Sequence, residues 1–523
     1  MSALTVRPRP QPDALDPTPS PGRMRRVDQA VLVVAVVLGV ALRIRTREDL
    51  WVDEAISVNI ARLSVPDLLE ALRHDGHPPF YYLLLHGWMD VFGESAAAVR
   101  TFSAVVSVAA LPVAWVAGQR LGGRRCAMAA VVLMAVAPSA VRLGSETRMY
   151  SLLVLLALLA WLAGRRAYER PSPGRLLLVT LVTGLLLLTH YWAFFLVGAA
   201  LAVVGWAAIW GPLPRRRAAR RLVVALGAGA LLFVPWLPVF LDQVDSTGTP
   251  WGIPARPAQM VASLLVGGGQ SGEAQVFGVA LALLAVLGLL ARPLDDSRVE
   301  LDLRTRAATR VEVVLIGGTL ILATVGGYVG DVAFVARYTA VVLPLLVLVC
   351  AFGVTQLPSW RWRDAVLGIV VVLGLVASLE ESLETRTQAP DVAAAIEAGS
   401  TPGELVAYCP SQLGPGVSRL LPDDRQEVTF PDFDRASRVN WTDYLGHVRR
   451  GDPRAFTAEL LDRAGDRPLW VVWASGHFGL GRKCEDVVQA IEAVRPEPTV
   501  VVTPKGDREA AWLYRFPPPL RGG

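Results

Sequence analysis

The sequence predicts a polytopic α-helical membrane protein that carries a small α/β domain at its C-terminal end. Three observations lead there. Hydrophobic residues make up 53% of the 523 residues and the mean hydropathy is +0.42, too apolar for an ordinary soluble protein. Apolar runs recur from residue 27 to about 380, and the loops between them are alternately rich and poor in arginine. Beyond residue 390 short helical stretches alternate with β-rich runs.

The first 26 residues contain Pro8, Pro10, Pro12, Pro17, Pro19 and Pro21 with almost no apolar periodicity, the composition of a disordered tail. Arg23, Arg25 and Arg26 precede the first apolar run as in a signal peptide. No small-residue cleavage site follows and many more apolar runs do, so this is read as an uncleaved first span. A membrane helix needs roughly 20 mainly apolar residues. Segments that meet this need lie near 27–44, 95–118, 126–143, 151–164, 175–189, 193–210, 222–241, 274–291, 311–329, 338–356 and 364–379, giving about eleven transmembrane helices.

The arginines test this order independently, because cytoplasmic loops carry an excess of positive charge. Arg120, Arg124 and Arg125 fall in one loop, and Arg165, Arg166, Arg170 and Arg175 in another. Arg215, Arg216, Arg217, Arg220 and Arg221 fill a third, Arg292, Arg298, Arg304, Arg306 and Arg310 a fourth, and Arg361 with Arg363 a fifth. The net charge of +5 is thus accounted for by topology, and nothing signals nucleic acid. An N-terminus in the cytoplasm and an odd number of spans place everything after about residue 380 outside. The first outward loop departs from the pattern, since Arg45, Arg47, Arg62 and Arg73 accompany acids there, which predicts a structured element. Segments 65–73, 79–92 and 258–266 suit helices along the outer surface.

The predicted organisation is therefore a cytoplasmic tail (1–26), a transmembrane catalytic domain (27–380) and an extracytoplasmic α/β domain (381–523). In the last, helical stretches at 391–398 and 485–494 alternate with β-rich runs at 404–408, 427–430, 469–474, 499–503 and 511–516. Gly414-Pro415-Gly416 follows the first of these runs and could form a phosphate loop, although a lone glycine pair is no phosphate-loop signature. Cys409 ends the first run and Cys484 opens the helix after 469–474. If those two strands are parallel neighbours, both cysteines share one sheet edge, and an oxidising compartment permits a disulfide.

Polar and aromatic residues gather at the predicted outer boundary. Asp53, Glu54, His74 and His77 lie in the first outward loop, Glu146, Arg148 and Tyr150 in the second, His190, Tyr191 and Trp192 in the third, and Arg337 and Tyr338 in the last. Charge at the mouth of a membrane span is costly unless a site uses it. A carboxylate there could take a proton from an attacking hydroxyl while an arginine stabilises a departing phosphate, the two needs of sugar transfer from a lipid phosphate. Each residue also has a structural reading. Asp53 and Glu54 could cap the helix that follows them, Glu146 and Arg148 could be an interfacial ion pair, and Tyr81, Tyr82, Tyr191 and Trp192 could be interfacial belt residues. His74 and His77 could hold a divalent metal, although two histidines with nearby acids are no ligand signature.

The ordered set Trp51-Val52-Asp53-Glu54-Ala55, His77-Pro78-Pro79-Phe80-Tyr81-Tyr82, Glu146-Thr147-Arg148-Met149-Tyr150 and Arg337-Tyr338 resembles bacterial GT-C glycosyltransferases related to protein O-mannosyltransferases and lipid A aminoarabinose transferases. The resemblance covers about residues 27–380 and is strongest over 50–165. It implies a GT-C fold, a polyprenyl-phosphate sugar donor and an acidic residue of the first outward loop as base. If the reaction inverts the anomeric carbon, it requires no covalent enzyme intermediate or dedicated cofactor, and a divalent metal stays an open alternative. By position Asp53 takes the base role with Glu54 as rival, and His77, Tyr81, Glu146, Arg148, Tyr150, His190, Tyr191, Arg337 and Tyr338 become substrate-binding candidates. The acceptor, an extracytoplasmic glycan, lipid or protein, does not carry over. A lipid-linked sugar transporter or flippase is the rival function, and it calls for charges near the bilayer midplane and an internal repeat.

Overall fold

The computed structural model describes residues 25–519 apart from 46–47, 248–252, 255, 268, 270, 307, 330–332, 423, 478 and 507. The expected tail at 1–24 lies outside the described residues. The chain begins with α1 (Arg26–Ile44) and continues through three short helices, α2 (Val52–Ala61), α3 (Val65–Leu72) and α4 (Phe80–Phe92). Next come α5 (Ala96–Val136), α6 (Pro138–Ser145), α7 (Tyr150–Glu169), α8 (Pro173–Leu187), α9 (Ala193–Trp210), α10 (Leu213–Leu231) and α11 (Leu237–Ser246). Strand β1 (Ile253–Pro254), α12 (Pro257–Val266), α13 (Gly272–Leu290) and the hairpin β2 (Ala291–Pro293) with β3 (Val299–Leu301) follow. Then come α14 (Arg310–Val329), β4 (Ala333–Phe334), which pairs with β1, a 3-10 turn at Ala336–Val341, α15 (Leu343–Thr355) and α16 (Trp360–Leu383).

Eight of the eleven expected segments fall largely within one helix, whereas 126–143 is divided between α5 and α6, 222–241 between α10 and α11, and 338–356 begins in the 3-10 turn before α15. Eight helical stretches among the described residues are long and apolar enough to cross a bilayer, the stretch Leu213–Ser246 counted as one, and α8, α12 and α15 are shorter apolar helices. A straight α5 of 41 residues would run about 60 Å, twice the ~30 Å hydrocarbon core. It is broken instead at Gly122 and Gly123, whose φ angles are −148° and +76°. The positive φ suits glycine, and the two limbs then pack so closely that a Cβ on Gly118 would lie 2.7 Å from the Cα of Ala127.

The second limb of α5 from Cys126 to Val136 and α15 from Leu343 to Val354 are buried all round, so they form the centre of the bundle. The outer helices bury one side and leave apolar side chains such as Val33, Val37, Ile321, Val325 and Val372 exposed, the pattern expected where lipid is the solvent. Arg43 breaks that pattern inside α1. It is fully buried and donates to the carbonyls of Gly39, Met134 and Ala135 and to Ser107 Oγ, which ties α1 to α5.

The C-terminal part contains α17 (Ala389–Gly399), β5 (Leu405–Cys409), α18 (Gly414–Ser418), β6 (Gln426–Thr429), α19 (Tyr444–Arg450), α20 (Pro453–Ala464), β7 (Leu469–Trp473), α21 (Lys483–Glu492), β8 (Thr499–Val502) and β9 (Trp512–Phe516). The strands form one sheet in the order β6-β5-β7-β9-β8. Strand β5 is parallel to β6 and β7, whereas β9 is antiparallel to β7 and β8. Cys409 is in register with Trp473 and is disulfide-bonded to Cys484, with a Cα–Cα distance of 5.4 Å. Gly414, Pro415 and Gly416 are buried in α18, where a Cβ on Gly414 would lie 2.6 Å from the carbonyl of Ala436. These small residues serve close packing. The sheet domain is joined to the loop after α3 and to the end of α11 by backbone bonds from Trp441 N to His74 O (3.0 Å) and from Asp443 N to Ser246 O (2.7 Å).

Candidate functional site

Helix α2 starts after an extended Trp51 that makes no side-chain cap bond, so Asp53 and Glu54 occupy its first turn without capping it. Successive residues of a helix point about 100° apart, and the two carboxylates accordingly enter different surroundings. Asp53 Oδ2 lies 2.6 Å from Arg337 Nη2 in an ion pair of which both members keep a little exposure, 14% and 17%. Glu54 is fully buried. It takes a two-pronged contact from Arg100 at 2.9 and 2.6 Å and a third bond, at 2.8 Å, from the backbone N–H of Thr147. With its oxygens so committed, Glu54 holds the loop at residue 147 against α2.

Around Asp53 the chain brings together segments far apart in sequence. Arg148 donates to the Asp53 carbonyl at 3.1 Å and to Ser57 Oγ at 2.9 Å, and its other terminal nitrogen is 3.2 Å from His77 Nε2. The opposite nitrogen of His77 is 3.0 Å from Asp75 Oδ2, which also accepts from Tyr82 at 2.7 Å. The His190 ring centroid is 6.1 Å from that of His77, 5.4 Å from Tyr150 and 5.1 Å from Tyr338. Arg337 lies over the faces of Trp51 and Tyr150 at 5.7 and 5.8 Å. These two aromatic faces favour the cation and restrict where it can sit.

Burial would lower the pKa of Arg337 and of Arg148, but the Asp53 carboxylate and neighbouring phenols outweigh it, and both guanidiniums stay charged. Burial, with positive charge nearby from Arg148 and Arg337, instead holds His190 well below its usual range. Its Nδ1 accepts from the backbone N–H of Trp192 at 3.1 Å, so the neutral ring carries its proton on Nε2. That Nε2 has no hydrogen-bond partner within the protein, and neither do Trp51 Nε1, Arg148 Nε, Tyr150 OH and Arg337 Nε, all buried. Buried donors are nearly always paired. Five in one connected cluster, two on guanidiniums, make a place suited to the oxygens of an anion.

The remaining sequence-predicted residues fall elsewhere. Glu146 and Arg148 do not pair with each other, because the turn between them sends their side chains in different directions. Glu146 is bound by Arg142 at 3.0 Å and by Arg386 at 2.7 Å. Burial would raise its pKa, yet Arg142, Arg386 and Arg337 outweigh this and bring it to about 2. Arg142 also reaches Glu381 at 2.7 Å, and Glu48 accepts from the backbone N–H of Arg386 at 2.6 Å. A cavity of about 300 Å³ opens beside this network, lined among others by Arg45, Glu48, Arg100, Arg142 and Arg386.

Tyr81 is fully buried, with its hydroxyl 3.3 Å from Ser103 Oγ, and packs on Phe102 as core. Tyr191 contacts Gln243 and Trp236 through its hydroxyl and sits among Phe194, Phe233 and Phe240. Its neighbour Trp192 instead packs against Tyr338 with the rings tilted at 43° and their centroids 5.3 Å apart. The two histidines weighed as metal ligands diverge, since His74 bonds to Thr442 and His77 to Asp75. Among the described residues no group of three His, Cys, Asp or Glu is placed to hold a metal ion.

Arg100, Asp75, Arg142, Arg386, Glu48, Glu381 and Glu509 escaped the sequence reading. Two of them left a signal, because Arg100 and Arg142 lie inside segments read as spans, where a charge is costly without a partner. The same holds on the other side of the bundle, where Glu312 of α14 is fully buried and accepts from Trp161 at 2.9 Å and Arg165 at 3.2 Å.

The helical bundle with its outer loop helices and C-terminal sheet has the multi-pass fold of GT-C membrane glycosyltransferases. Residues 76–239 match the family described as dolichyl-phosphate-mannose-protein mannosyltransferase. Among solved structures the fold is similar to ArnT from Cupriavidus metallidurans bound to undecaprenyl phosphate, with a TM-score of 0.59 and 14% identity over 93% of this chain and 97% of that one. The apo state of the same protein gives a TM-score of 0.61. The Archaeoglobus fulgidus oligosaccharyltransferase tethered to an acceptor peptide is similar at a TM-score of 0.50 and 12% identity, over 88% of this chain and 71% of that one. At such identities the likeness is one of fold. No curated protein matches the sequence.

Proposed function

We propose that the protein transfers a sugar from a polyprenyl-phosphate donor to the hydroxyl of an extracytoplasmic glycan, lipid or protein, with inversion at the anomeric carbon. The observation that carries this reading is the Asp53–Arg337 pair at 2.6 Å, set among buried donors without partners. Asp53 is the general base. It takes the proton of the acceptor hydroxyl as that oxygen bonds to the anomeric carbon, and the bond from that carbon to the donor phosphate breaks with its electron pair on the phosphate oxygen. Arg337, assisted by Arg148, meets the charge on the leaving phosphate. Glu54, held by three hydrogen bonds, is the support of the site in this reading, and those bonds favour Asp53 over it as the base.

In the same proposal residues 27–380 are the catalytic membrane domain, the N-terminus faces the cytoplasm, and residues 381–523 lie outside the cell membrane. The alternation of arginine-rich loops and the disulfide between Cys409 and Cys484 support that placement. ArnT, whose fold is similar, was crystallised with a polyprenyl phosphate, which supports this donor class. The test is incorporation of labelled sugar from synthetic polyprenyl-phosphate donors into membranes, comparing wild type with Asp53→Asn. Transfer that depends on the protein and is lost in the variant is expected. Absence of transfer from mannosyl, arabinofuranosyl and aminosugar donors alike would overturn the reading.

A further inference from the structure

Helix α2, which carries Asp53, is held at both ends by the C-terminal part of the chain. At its start the first free backbone donor, Val52 N–H, is bound at 2.8 Å by the carboxyl oxygen Oε1 of Glu509, which lies just before β9. Glu509 is itself fixed, since its backbone N–H donates to the Arg386 carbonyl at 2.9 Å and it bridges to Thr387. At the other end Asn59 Nδ2 donates to the carbonyls of Ser437 at 2.8 Å and Pro415 at 3.3 Å.

The first N–H groups of any helix lack partners within it, and a side chain next to the helix in sequence normally supplies one. Trp51 cannot. A residue 457 positions away takes that role instead. We propose that Glu509 is a positioning residue, a cap supplied by the C-terminal domain that fixes the first turn of α2 and so aims Asp53 at the reacting hydroxyl. This deepens the proposed function and rests on it for the role of Asp53, though not for the cap. Burial pushes the Glu509 carboxyl up to about 8, with Asp53 and Glu48 adding to the effect, so at neutral pH it accepts from Val52 without setting a full negative charge beside Asp53. The C-terminal domain is thereby part of the catalytic apparatus.

The experiment uses the full-length protein in detergent or nanodisc and compares wild type, Glu509→Ala, Glu509→Gln and Asn59→Ala. Amide hydrogen exchange reads the cap directly, with no need for transfer. Glu509→Ala is expected to speed exchange in peptides covering residues 52–56 about five- to tenfold, the effect of losing one helix cap, and to leave α7 unchanged. Glu509→Gln, which keeps an acceptor oxygen, restores slow exchange. With a working donor, kcat of Glu509→Ala falls about tenfold while the donor KM stays within twofold, and Gln recovers most of it.

Unchanged exchange in Glu509→Ala overturns the cap, and so does a Gln variant as impaired as Ala. A rise in KM with kcat intact overturns the positioning role. Should Glu509→Ala fail to fold, Glu509→Asp, whose side chain is one methylene shorter, and Asn59→Ala carry the same measurements at the two ends of α2. Wild-type protein that transfers no sugar would defeat the functional reading and leave the exchange result to decide the cap.

Discussion

Asp53 and Arg337 are counterions at 2.6 Å, the first in the opening turn of α2 and the second in the 3-10 turn that precedes α15. In the proposed reaction they serve opposite ends of one bond change, the base for the incoming hydroxyl and the cation for the leaving phosphate. A donor phosphate that draws Arg337 toward itself releases Asp53 to accept a proton. Donor binding and base activation are then linked through a single guanidinium.

That linkage separates two variants. Asp53→Asn should lower transfer by ~10² to 10⁴, the usual worth of a general base. Its affinity for polyprenyl phosphate should equal or exceed that of wild type, because Arg337 no longer has a competing anion. Equilibrium binding beside turnover checks this, and normal turnover in Asp53→Asn excludes it as the base.

Arg337→Ala should show the reverse pattern, a donor KM raised at least tenfold, since a charge-assisted contact to phosphate contributes about 1.5–3 kcal/mol. Arg337→Lys keeps the charge and loses the fork, so it should fall between the two. Donor dependence unchanged in Arg337→Ala would make the residue an anchor only.

Glu54 should behave as a structural residue. Removing one member of a buried pair leaves the other uncompensated, at a cost of about 3–5 kcal/mol. Glu54→Gln and Arg100→Ala should therefore lower the thermal stability of the solubilised protein, while the folded fraction of Glu54→Gln keeps a rate within a few-fold of wild type. A stable Glu54→Gln protein without activity would return the base role to Glu54.

Glu146 gives the protein an acid limb. Its carboxyl sits at about 2 in the folded state, below its ordinary value of 4.5, with Arg142 and Arg386 overcoming the effect of burial. A carboxylate whose pKa is depressed on folding contributes stability that is complete above its unfolded pKa and is lost as pH falls toward the folded value. Thermal stability should accordingly decline between about pH 4.5 and 2. Glu146→Gln should be less stable at neutral pH and show a shallower decline.

The disulfide closes a loop with a sequence separation of 75. In the chain-entropy model such a loop is worth about 4 kcal/mol. Cys409→Ser should therefore lower the unfolding temperature of the C-terminal domain by several degrees. Non-reducing peptide mapping of natively localised protein checks the bond, and separate alkylated peptides for Cys409 and Cys484 would count against an extracytoplasmic domain.

Run lengths, arginine spacing and the change of period near residue 390 are properties of neighbouring residues, and this is why the helical segments and the α/β alternation could be read from the chain. The outer-boundary clusters were legible for the same reason. Charges at the end of an apolar run stand out wherever the run folds. Which charge meets which is another matter, because it depends on contacts between residues tens to hundreds of positions apart. Only packing placed Arg337 against Asp53, gave Glu54 to Arg100, and turned Glu146 away from Arg148 toward Arg386. Tyr191 and Trp192 show how fine the distinction is. Adjacent in sequence and alike in chemistry, they meet different neighbours, so that Trp192 packs against Tyr338 while Tyr191 lies among phenylalanines. Glu509 has no local mark at all, since the N–H it binds belongs to a helix 457 positions earlier in the chain.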